Sequence, residues 1–155
     1  MLFSTKAEYG VRLMIELGRQ AGSEPVALSA VAEAERLPLS YLEHLVAKLR
    51  KAGLVSSTRG AHGGYRLARP AEEITMDEVV EALEGQIAPM ECFHETPEGK
   101  VLCSHEHDDD ACSTKLLWMR VQGGVTRALS GTTLAELVEF GGNGSRPEAT
   151  VGTAV

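Results

Sequence analysis

Leu39-Ser40-Tyr41-Leu42-Glu43-His44-Leu45-Val46-Ala47-Lys48-Leu49-Arg50-Lys51-Ala52-Gly53-Leu54-Val55-Ser56-Ser57-Thr58-Arg59-Gly60-Ala61-His62-Gly63-Gly64-Tyr65-Arg66-Leu67 decides the fold. Leu42, Leu45, Val46 and Leu49 recur at helical spacing. Ser40, His44, Lys48 and Lys51 fall on the opposite, polar face. Ser40 with Glu43 has the form of a capping box, in which each side chain satisfies a free backbone N–H. Gly53 ends the helix. Leu54 to Arg59 is then a short β-type run, Gly60 to Gly64 a flexible turn, and Tyr65-Arg66-Leu67 the return, which together predict a hairpin.

Two further helices are predicted upstream. Thr5 and Glu8 form another capping-box pattern, followed by Val11, Met14, Ile15 and Gly18 on one face. Gly22, Ser23 and Pro25 mark a turn. Leu28, Val31 and Ala32 suggest a short helix that ends near Arg36-Leu37-Pro38. Three helices and a hairpin, in that order, predict a winged helix-turn-helix. The fold class is mainly α with a small β-hairpin.

Downstream, Met76 to Leu83 reads as a short helix with Asp77 and Glu78 in its first turn. Gln86 to Ala111 has no clear period. A longer helix starts at Cys112 and carries Leu116, Leu117, Met119, Val121, Val125 and Leu129, enough apolar positions for a dimer seam. Thr132 to Val138 is a last short helix, and Gly141 to Val155 reads as a disordered tail. The expected organisation is a DNA-binding domain over residues 1–70, a cysteine loop and dimerisation helices over 71–140, and a tail over 141–155.

The net charge of −7 looks wrong for a nucleic-acid binder, but it is unevenly spread. Residues 1–70 carry ten Lys/Arg against six Asp/Glu, and residues 71–155 carry five against sixteen. Binding to phosphate needs a local basic face rather than a basic protein. In a helix-turn-helix the second helix enters the major groove, which puts Ser40, Tyr41, Glu43 and His44 toward the duplex and Lys48 and Lys51 nearer the phosphates. Glu43 can accept from cytosine N4. Arg59, on a Gly-rich tip, suits the minor groove. Each feature has a plainer reading: a helix cap, a solvated face, an ordinary turn. Their order and spacing together favour DNA.

No apolar run is long enough to span a membrane, and the N-terminus lacks a signal-peptide core, so a cytoplasmic protein with reduced thiols is expected. No nucleotide loop or nucleophile elbow supports an enzyme. The three cysteines, Cys92, Cys103 and Cys112, lie in the acidic part of the chain. Their spacing matches no ferredoxin pattern. With His94, His105 and His107 nearby, a zinc site is an equal rival to an iron–sulfur cluster. A redox thiol pair, or three small buried side chains, are further readings.

Ser4-Thr5-Lys6-Ala7-Glu8-Tyr9-Gly10, Leu39-Ser40-Tyr41-Leu42-Glu43, Leu54-Val55-Ser56-Ser57-Thr58-Arg59-Gly60 and Gly63-Gly64-Tyr65 resemble the winged-helix repressors that include IscR, NsrR, RirA and CymR. The resemblance covers roughly residues 1–140. It implies a homodimer on a palindromic double-stranded DNA operator, with Ser40, Tyr41, Glu43 and His44 in the major groove and Arg59 and Gly60 in the minor groove. It implies that Cys92, Cys103 and Cys112 hold an iron–sulfur cluster, 2Fe–2S or 4Fe–4S. IscR-like members use a His three residues after the last Cys, where this chain has Lys115, which cannot serve. NsrR-like members use a first-helix carboxylate, which corresponds to Glu8 of the partner subunit. His105 and His107 are fallback ligands. The function implied is a regulator, and more specifically a repressor, that senses iron–sulfur or redox status or nitric oxide. The alternative is a zinc- or thiol-based repressor of cysteine metabolism without a cluster.

Overall fold

A computed structural model describes residues 3–22, 24–87, 93–95, 101–103 and 114–142. Amphipathic helices must bury their apolar stripes, and three consecutive ones do so against each other. Helix α1 (Thr5–Arg19) buries Leu13, Met14 and Leu17; α2 (Leu28–Glu35) buries Leu28 and Val31; α3 (Leu39–Lys51) buries Leu42, Leu45, Val46 and Leu49. Between α2 and α3 the chain turns within Arg36-Leu37-Pro38. Arg36 takes a left-handed conformation (φ 54°, ψ 46°), and Leu37 N–H donates to Ala32 O at 2.9 Å, closing the end of α2.

Strands β1 (Val55–Thr58) and β2 (Gly64–Leu67) pair antiparallel, from Val55↔Leu67 to Thr58↔Gly64, as the sequence predicts. The hairpin is tied to the body by backbone. Val26 N–H donates to Tyr65 O and Tyr65 N–H to Val26 O, both at 2.8 Å. Gly64 permits that approach, because a Cβ there would lie 2.4 Å from the Val26 carbonyl oxygen.

After a 3-10 turn at Ala71–Glu73 comes α4 (Met76–Glu84), then the antiparallel pair β3 (Phe93–Glu95) and β4 (Val101–Cys103), then α5 (Lys115–Ser130) and α6 (Leu134–Gly142). Helices α4 and α6 begin side by side: Met76 N–H donates to Thr132 O at 3.0 Å and Leu134 N–H to Ile74 O at 2.8 Å. Leu134 therefore joins Leu13, Leu17, Ile74, Val79 and Leu83 in one buried cluster that runs across residue 70. The paired strands lie in the stretch that shows no period in the sequence. Three residues per strand are too few for alternation to register.

The capping residues differ from the sequence expectation. Ser4, not Thr5, caps α1: its Oγ accepts from Lys6 N–H at 3.1 Å. Helix α3 starts after Pro38, whose extended backbone sets the N-cap position, so Ser40 is already helical and Glu43 caps nothing. The same Ser/Thr-x-x-Glu pattern does form two boxes elsewhere. Thr75 and Glu78 cap α4, and Thr133 and Glu136 cap α6, where Thr133 N–H donates to Glu136 Oε2 at 2.8 Å. Glu78 also takes a hydrogen bond from Arg69 at 2.8 Å, which holds its carboxyl below the ordinary range.

The free start of α1 is met by a carboxylate from α4. Glu84 Oε1 accepts from Ser4 N–H at 3.0 Å and from Ser4 Oγ at 2.5 Å. Burial pushes the Glu84 carboxyl up, but hydrogen bonds from Ser4 and the Ala7 N–H, with the Lys6 charge, outweigh it and leave the pKa lowered. A lowered folded pKa means stabilisation that is complete above the ordinary carboxylate range and lost as pH falls through the folded value. Glu84→Gln is therefore expected to lower stability at neutral pH by about 1–2 kcal/mol. Urea unfolding should show the gap to wild type narrowing below the ordinary carboxylate range. Gly64→Ala is expected to cost about 1–3 kcal/mol, since its clash is with backbone and no side chain can relieve it. Denaturation midpoints against an Ala61→Gly control check this.

Candidate nucleic-acid interface

Burying Leu42, Leu45, Val46 and Leu49 turns Ser40, Glu43, His44 and Lys51 to solvent on α3. The side chains of Glu43, His44 and Lys51 make no hydrogen bond or ion pair among the described residues. The Glu43 carboxylate is thus available to a base edge rather than spent on a cap. Tyr41 stands apart from this set. It is half-buried, and its ring meets Tyr9 edge-on, with centroids 5.7 Å apart and planes at 87°. Lys48 is exposed like Glu43, His44 and Lys51, but its Nζ donates to Leu83 O at 2.8 Å.

The wing lies against the C-terminal end of α3. Arg50 Nη1 donates to Ser57 Oγ at 3.4 Å, and Arg66 Nη2 to Thr58 Oγ1 at 3.1 Å. Arg59 is exposed at the tip beside Gly60, whose φ of +118° lies in the region that favours glycine. Residues 39–67 carry five Lys/Arg against one Asp/Glu, so helix and wing present a basic surface although the chain is acidic.

Sequence reasoning passed over one cation that sets this geometry. Arg12 Nε donates to Glu35 Oε2 at 2.9 Å and Arg12 Nη2 to Glu35 O at 2.6 Å. Arg19 Nη1 reaches the same carboxylate at 3.4 Å. Arg12 thus clasps the end of α2, immediately before the turn into α3. The signal available was two arginines seven apart, on one face of α1.

The expected metal ligands divide differently. Cys92, Cys112, His105 and His107 lie outside the described residues. Cys103 belongs to β4 and His94 to β3, and the strand register sets Phe93, the residue after Cys92, opposite Cys103. Glu8 is 63% exposed, with its Oε1 4.0 Å from Arg12 Nη1. It lines an open, mostly apolar groove of about 520 Å³, with Phe3, Val11, Val80 and Leu129. Among the described residues no group of three or more His, Cys, Asp or Glu is placed to hold a metal ion. Helix α5 buries none of its residues, and it exposes Leu116 at 59%, Leu117 at 54% and Met119 at 45%. No helix among the described residues is long and apolar enough to cross a membrane.

Comparison with known proteins agrees with this geometry. The family model described as "Rrf2: Iron-dependent Transcriptional regulator" matches residues 3–140. The HTH-type transcriptional regulator CymR of Bacillus subtilis is 37% identical over 140 residues, covering 90% of this chain and 91% of that protein. The HTH-type transcriptional regulator IscR of Escherichia coli O1:K1 / APEC is 36% identical over 138 residues, covering 89% and 80%. Among solved structures, CymR, described as the global cysteine regulator of B. subtilis, superposes with a TM-score of 0.74 at 36% identity, covering 90% of this chain and 98% of that one. T. potens IscR superposes with a TM-score of 0.75 at 34% identity, covering 96% and 93%. A helix-turn-helix with a docked wing, matched over nearly its whole length, makes this chain a member of the Rrf2 family of winged-helix, DNA-binding transcriptional regulators.

Proposed function

We propose that the protein is a dimeric repressor that binds a palindromic operator and senses iron–sulfur or redox status, or nitric oxide, through a bound cluster. Ser40, Glu43 and His44 read base edges in the major groove, with Tyr41 beside them. Arg59 and Gly60 enter the minor groove. The ligands are Cys92, Cys103, Cys112 and Glu8 of the partner subunit. The observation that carries the cluster reading is the state of Glu8: Ser4 caps α1, so the Glu8 carboxylate is not used as a helix cap and stands exposed, with only the long Arg12 pair at 4.0 Å beside it.

The donor chemistry fits. Thiolates hold iron–sulfur clusters, and a carboxylate oxygen is a weaker, exchangeable fourth donor. A bound cluster would supply a centre that reacts with oxidants or nitric oxide. The chain's own residues supply the transmission. Glu8 stands one turn from Arg12, and Arg12 holds the end of α2 that leads into α3. The exposed Leu116, Leu117 and Met119 support α5 as the seam with a second copy. A zinc- or thiol-based regulator of cysteine metabolism remains the second reading, favoured by the likeness to CymR.

Oxygen-free purification followed by absorbance, iron and sulfide analysis tests the cofactor. Visible charge-transfer bands with matching iron and sulfide are expected, lost in each Cys→Ala variant and weakened in Glu8→Ala. A colourless sample that contains zinc would favour the second reading. On the DNA side, Glu43→Ala should relax discrimination at one operator position by about 1–3 kcal/mol. Arg59→Ala should lower operator affinity and reduce the slope of log K against log salt by about 0.9. Fluorescence anisotropy across a salt series reads both.

A further inference from the structure

We propose that Lys48 is a positioning residue for base reading: it fixes how α3 sits on the body of the protein and makes no contact with phosphate. The inference rests on the reading of α3 as the base-reading helix.

The geometry sets Lys48 apart from its neighbours. Its Nζ donates to the carbonyl oxygen of Leu83 at 2.8 Å. Leu83 lies in the last turn of α4, where carbonyl oxygens have no partner within their own helix. That end also carries the negative pole of the helix dipole, which favours a cation. The ammonium is therefore held where it meets two needs of α4. Release toward a phosphate would give both up.

The contact point is well chosen to hold an angle. The Leu83 side chain is buried and fills the space beside Gly10, where a Cβ would lie 2.1 Å from Leu83 Cδ1. The next residue, Glu84, holds the start of α1 through Ser4. Lys48 thus ties α3 to the turn that α1 and α4 already share. Apolar packing between α3 and its neighbours is non-directional. A charge-assisted hydrogen bond is directional, and reading a base edge depends on donors and acceptors placed within fractions of an ångström. Loss of the bond should blur the reading of sequence more than it weakens attraction to the backbone.

The test uses the full-length protein and the tightest duplex selected from a random-sequence library, with a scrambled duplex of equal length as control. Affinities of wild type, Lys48→Met and Lys48→Arg are measured over a salt series. For Lys48→Met the expected result is about a tenfold loss on the selected duplex, no change on the scrambled one, and an unchanged salt slope on both. Lys48→Arg, which can still donate to Leu83 O, should restore the discrimination. Equal losses on both duplexes, with the salt slope reduced by about 0.9, would make Lys48 a phosphate contact and overturn the proposal. A lowered melting temperature with discrimination intact would make it merely structural and overturn it too. Should wild type itself show no preference between the duplexes, the base-reading assignment of α3 fails, and this proposal fails with it.

Discussion

The last turn of an α-helix exposes carbonyl oxygens that the helix cannot satisfy, and in this protein that turn of α4 is met by the two helices that matter most. Lys48 of α3 donates to Leu83 O, and Glu84 accepts from the start of α1 at Ser4. Between these polar contacts the Leu83 side chain packs into the space that Gly10 leaves open. Three helices therefore share one register point. The chain leaves that point at Gly85 and runs on toward the cysteines. Arg12 adds a second fixed joint by holding the end of α2. These directional bonds join α1, α2, α3 and α4 over a core that is otherwise apolar.

Charge is arranged to match. The basic residues concentrate in the helix-turn-helix and wing, whereas the acidic excess follows residue 70. An acidic chain with a basic face can be drawn to a duplex in one orientation and repelled in others. Arg50 and Arg66 are partly engaged in bracing the wing, which leaves Lys51 and Arg59 as unengaged cations among the described residues of this face.

Much of this was legible in the sequence, and what was not had local causes. Helices α1, α3 and α4 and the hairpin follow from apolar spacing and from Gly53 and the glycine-rich tip. The capping pattern was ambiguous, because among the described residues Ser/Thr-x-x-Glu occurs at Thr5, Ser40, Thr75 and Thr133 and only the last two form boxes. At Thr5 the preceding serine takes the cap, and at Ser40 the backbone of Pro38 starts the helix too early. Neither outcome shows in a four-residue pattern. The pairing of β3 with β4 was hidden by its shortness. Lys48 sits on the polar face of α3 by periodicity, the face expected to lie nearer the phosphates. Its partner is a backbone carbonyl 35 residues away, and no spacing rule reports that. Of the cysteine site, the sequence offers candidate ligands, and the structure adds that Glu8 is free of a helix cap.

A cofactor held by the thiols can regulate transcription only if its state changes how tightly the duplex is held. The most direct measurement is the affinity of one operator duplex, at fixed salt and without oxygen, for protein carrying its cofactor and for the same preparation after chelation and gel filtration. The expected ratio of affinities is well away from one, and returns to one when Cys92, Cys103 and Cys112 are all replaced by alanine. Identical affinities for the loaded and stripped forms would contradict it.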